Sequence, residues 1–159
     1  AIELIANNLV SVYNGTGSKK EWENITMAST IGGMVINTAG VTIAHGMEHP
    51  ASGLKDIVHG QGLAALTPIV IEASYKGNEE KFAKIAKIFG GESAADCADK
   101  IRELLKAIDL ECKLSDLGIA EEDIPWMAEN CMKVSAASIA NNPVVFTQEE
   151  IAELYRKAL

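Results

Sequence analysis

Cysteine is scarce and poorly placed for cross-linking. Cys97, Cys112 and Cys131 are odd in number, far apart and free of any CxxC spacing. This excludes a disulfide framework and predicts small core thiols in a cytoplasmic protein. Positive charge is also short: 14 Lys and Arg face 22 Asp and Glu, a net charge of −8. That balance argues against a nucleic acid or an anionic membrane as the main partner. No signal-peptide pattern is present at the N-terminus, and the chain opens Ala1-Ile2-Glu3-Leu4 without an initiator Met, as a processed or excised piece would.

A clean apolar span is missing as well. No charged residue falls between Asn24 and Ala44, about the length a bilayer requires. Yet the stretch holds Asn24, Thr26, Ser29, Thr30, Asn37, Thr38 and Thr42, with Gly32, Gly33 and Gly40, and runs into His45. So many polar groups are costly in lipid. A helix buried at the centre of a bundle is the expectation instead. Ile69-Val70-Ile71 has no second β-branched run to pair with, and no repeat, low-complexity tract or heptad pattern occurs.

What is present is helical periodicity and enough apolar residues, 48%, for the core of one compact domain over residues 1–159. Ile2, Ile5, Leu9 and Val12 form one stripe, closed by Gly15-Thr16-Gly17. Ser18 with Glu21 is a capping box. The helix it starts is predicted to carry Trp22, Ile25, Ala28, Gly32, Val35, Ala39 and Ile43 on one side. Pro50, Gly53, Gly60 and Gly62 predict a loop, and Gln61 to Ser74 an apolar helix kinked at Pro68. Further helices are expected over Glu79–Phe89, Ser93–Asp109, Met127–Ala140 and from a second capping box at Thr147 and Glu150. Residues 110–124 are expected as a surface connection. The sum is an all-α bundle of about seven helices.

All three histidines lie within fifteen residues, as His45-Gly46-Met47-Glu48-His49 and His59-Gly60. Four-residue spacing puts His45 and His49 on one helical face, and the intervening loop allows His59 to return to them. Neutral imidazoles are ligands for zinc, iron and other transition metals, so converging rings would form part of a metal site. The alternative is an autonomous binding or assembly module with structural histidines. A zinc-protease helix requires Glu directly after the first His, where this chain has Gly46. Glu48 and Asp56 are the nearby carboxylates, and both read first as solvated surface charges. Gly15-x-Gly17 and Gly32-Gly33 lack the strand–turn–helix setting of a dinucleotide loop, and no Ser or Cys has a nucleophile's surroundings.

Ala44-His45-Gly46-Met47-Glu48-His49-Pro50, the ten-residue interval to His59 and His59-Gly60 together resemble the iron-containing alcohol dehydrogenases. Met27 to Met34, Thr67-Pro68, Glu121 to Pro125 and Asn141-Asn142-Pro143 extend the resemblance over the whole chain. It corresponds to the C-terminal half of such an enzyme, with its dehydroquinate-synthase-like helical fold. The resemblance implies that His45 and His59 are metal ligands and that His49 is a catalytic, non-ligand histidine beside nicotinamide and substrate. It implies a divalent metal, Fe2+ with Zn2+ as the variant, which polarises a small alcohol while hydride passes to NAD(P). The N-terminal α/β domain that would bind NAD(P), with the other metal ligands, has no counterpart here. The segment alone is therefore expected to be inactive, and an unmatched domain face favours a homo-oligomer.

Overall fold

In the computed structural model, which describes residues 1–159, nine α-helical segments are joined by short turns, and the chain is 77% helical with no strand. Helices α1 (Ile2–Tyr13) and α2 (Lys19–Ala39) form an antiparallel pair. Their junction is the predicted capping box: Ser18 N–H donates to Glu21 Oε2 at 2.7 Å, and Glu21 N–H donates to Ser18 Oγ at 3.3 Å. Asn24 Nδ2 donates to Asn8 Oδ1 at 3.1 Å and ties the two helices together.

The expectation that α2 lies at the centre of the bundle is not met. Only Ala28 of its 21 residues is buried, and Trp22, Met27, Met34, Val35 and Ile36 are exposed. Nor does the helix reach Ile43. Gly40, at φ 73°, sits in the left-handed region where a side chain is disfavoured, and the chain turns through 100° into α3 (Ile43–Lys55). Asn141 Nδ2 fastens the corner by donating to the carbonyls of Ala39 and Val41, at 3.0 and 3.2 Å. No single helix is long and apolar enough to cross a membrane.

The loop expected after Pro50 also shrinks. Helix α3 runs through Pro50 to Lys55, leaving only residues 56–58 before α4 (His59–Ser74). Proline removes the N–H that the Gly46 carbonyl would otherwise accept. Ser135 Oγ donates to that carbonyl instead, at 3.3 Å, from far along the chain. Pro68 likewise stays inside α4 at a buried position.

Helices α5 (Glu79–Ile88) and α6 (Cys97–Ala107) follow, and then residues 110–124. These are not merely surface: Leu114, just before the short turn Ser115–Leu117, and Ile119, between it and the turn Glu121–Asp123, enter the main core. The helix expected over Met127–Ala140 begins earlier and divides at Ser135 into α7 (Ile124–Val134) and α8 (Ala136–Ala140). The last, α9 (Gln148–Ala158), starts at the second predicted capping box. A core of 19 buried residues is drawn chiefly from α3, α4, α7 and α9. Its centre includes Met47, Leu66, Met127, Ile151 and Tyr155. Tyr155 donates its hydroxyl to the Met47 carbonyl at 2.5 Å. Burial pushes that hydroxyl's pKa far up, with Cys131 and Glu48 adding to the effect. All three cysteines are free, and burial raises the Cys131 thiol to about 11.

Candidate metal centre

Helix α3 presents His45 and His49 one turn apart, and α4 opens with His59. The three rings form a triangle, with centroids 6.2 Å apart for His45–His49, 5.3 Å for His45–His59 and 5.9 Å for His49–His59. His45 is half-buried, whereas His49 and His59 are exposed. Burial holds the His45 pKa below the ordinary imidazole value, and the neighbouring His59 and His49 charges push it the same way. A neutral ring is the form that ligates a metal.

The carboxylate that completes this cluster was expected at the surface. Glu48 is fully buried, with one carboxylate oxygen accepting from Ser52 Oγ and the other paired with His59 Nδ1 at 2.5 Å. Donor atoms of Glu48, His49 and His59 all lie within 4.8 Å of one another. The room for Glu48 comes from Gly62, where an added Cβ would fall 2.8 Å from Glu48 Cγ and 3.0 Å from Oε1. Sequence reasoning passed over a local signal for this arrangement. Ser52 stands one helical turn after Glu48, close enough for a side-chain hydrogen bond. Asp56, by contrast, is exposed and ends α3 in the left-handed region at φ 53°.

This donor set suits a divalent transition metal. Imidazole nitrogens serve zinc and ferrous ions, and histidine ligands commonly share their second nitrogen with a carboxylate. The Glu48–His59 pair has that form, and the other two rings stand beside it. The residues present therefore fit a metal.

Comparison with known proteins covers the whole chain. The model of the Fe-containing alcohol dehydrogenase family's C-terminal region matches residues 1–159. The chain belongs to that family. It is 38% identical to the 1,3-propanediol dehydrogenase of Citrobacter freundii, over 99% of this chain and 42% of that protein. It is 30% identical to the lactaldehyde reductase of Escherichia coli K12, with the same coverage. Among solved structures, a 1,3-propanediol oxidoreductase superposes with a TM-score of 0.87 at 37% identity, over 99% of this chain and 43% of that one. An archaeal halo-thermophilic alcohol dehydrogenase from a Red Sea brine pool gives 0.90 at 32% identity, over 99% and 42%. The chain thus spans under half the length of these relatives and corresponds to the family's C-terminal, all-α part.

Proposed function

We propose that this chain is the metal-binding helical domain of a cytoplasmic, NAD(P)-dependent alcohol dehydrogenase, completed by an N-terminal α/β domain that binds the nicotinamide cofactor. The observation that carries the reading is the histidine triangle on α3 and α4, with centroids 5.3–6.2 Å apart, in a chain whose whole length matches the family. His45 and His59 would hold the divalent cation, Fe2+ by the family's name or Zn2+. When bound, that cation supplies Lewis acidity to the oxygen of a small alcohol or aldehyde. His49, exposed beside the other two rings, would carry the hydroxyl proton toward solvent, as an imidazole, with one nitrogen to accept and one to donate, can. The relatives' substrates, 1,3-propanediol and lactaldehyde, support a small hydroxylated or carbonyl substrate. A homo-oligomer, with no nucleic-acid or membrane partner, belongs to the same proposal.

The test uses the full-length parent enzyme. His45→Ala and His59→Ala should each strip the metal and abolish alcohol-dependent reduction of NAD(P). Retained metal and turnover would reject their ligand role. His49→Ala should keep the metal while slowing turnover by ~10²–10⁴-fold. The 159-residue segment alone should show no turnover.

A further inference from the structure

We propose that Glu48 is a positioning residue that fixes the His59 imidazole for metal binding. The inference rests on the reading of His59 as a ligand. A fully buried carboxylate is costly unless it is paired and hydrogen-bonded, and every partner of Glu48 is local to the cluster. One oxygen is held by Ser52 Oγ on the same helix, and the other by His59 Nδ1 on the next. An ionised carboxylate only accepts, so the Nδ1 of His59 is the donor, and in the neutral ring Nε2 is left with the lone pair that a metal takes. The His59 side chain is 52% exposed while that of Glu48 is 0% exposed. The ring is therefore anchored from the protein interior and open on its other side. Gly62 belongs to the same device, because a side chain there would collide with Glu48. Each carboxylate oxygen already holds one partner, and the side chain is fully buried behind the ring, so the role assigned to Glu48 is to act through His59. Its buried negative charge also makes the imidazole a stronger donor.

The test is Co2+ binding to the full-length parent enzyme, read by chelator competition and by the visible spectrum of the bound ion. Glu48→Gln keeps the side-chain volume and removes the charge. It should retain one Co2+ per chain with affinity lowered about 10- to 100-fold and a shifted spectrum, while thermal unfolding of the metal-free protein stays close to wild type. Unchanged affinity and spectrum, alongside a His59→Ala protein that has lost the ion, would overturn the positioning role and leave the proposed function standing. Loss as complete as that of His59→Ala would also overturn it, because Glu48 would then be a ligand itself. If His59→Ala binds Co2+ normally, the ligand assignment falls and takes this inference with it. Should Glu48→Gln not fold, Ser52→Ala decides, since it unfastens the other carboxylate oxygen and otherwise removes only an approach to the Ile57 carbonyl at 3.2 Å. A loss of about two- to fivefold supports the role, and none overturns it.

Discussion

Helices α2 and α3 follow one another and share the chain's longest run without Asp, Glu, Lys or Arg, residues 24–47, yet they meet opposite fates. One residue of 21 is buried in α2, against seven of 13 in α3. Both contain glycine and threonine or serine among apolar residues, so composition does not separate them. The difference is in neighbours: α3 lies against α4, α7 and α8, whereas α2 packs chiefly on α1. Burial of an apolar face is decided by what the rest of the chain brings to it. The histidines stand on the helix that is held.

Substitutions can break or sharpen this contrast. Leu66→Ala, in the core beneath α3, should cost about 2–5 kcal/mol in urea unfolding, because a fully buried leucine leaves a cavity. A loss below 1 kcal/mol would mean that this core is loosely packed. Ser135→Ala leaves the Gly46 carbonyl without its donor and should cost about 1–3 kcal/mol by the same measurement. Met34→Ala on α2, where the side chain is 65% exposed, should stay within about 0.5 kcal/mol. A loss above 2 kcal/mol would show that α2 is held as firmly as α3.

The junction of α1 and α2 adds a pH signature. The hydroxyl of Ser11, then that of Ser18 and its backbone N–H, lower the Glu21 carboxyl to about 2 from its ordinary 4.5. The depressed value means that this carboxylate's stabilisation is present above about 4.5 and lost as pH falls toward 2. Ser18→Ala should remove part of that dependence, and unfolding curves between pH 5 and 2 would then run flatter than wild type. Curves parallel to wild type would reject the capping contribution.

Much of this fold is legible from local pattern. Both capping boxes, the apolar stripe of α1 and the all-α architecture follow from residue types and spacing within a few turns of helix. The histidine cluster was legible too, since four-residue spacing and a return at His59 suffice to suggest convergence. Other features depend on distant residues. Pro50 reads as a helix end because the hydroxyl that replaces its missing N–H comes from Ser135, 89 residues beyond the Gly46 carbonyl it serves. Glu48 reads as a surface charge because only the return of α4 reveals the imidazole that pairs with it. The uncharged run in α2 suggests a central helix because small and apolar residues do not disclose whether a neighbour exists.

The two hydrogen bonds that reach α3 from Ser135 and Tyr155 have a consequence for biosynthesis. These residues lie 89 and 108 positions beyond their acceptors, Gly46 and Met47. A ribosome making this polypeptide from its amino end therefore exposes the histidine-bearing helix long before those hydroxyls emerge. The arrangement of the three histidine rings reaches its finished form only when α9 has left the exit tunnel.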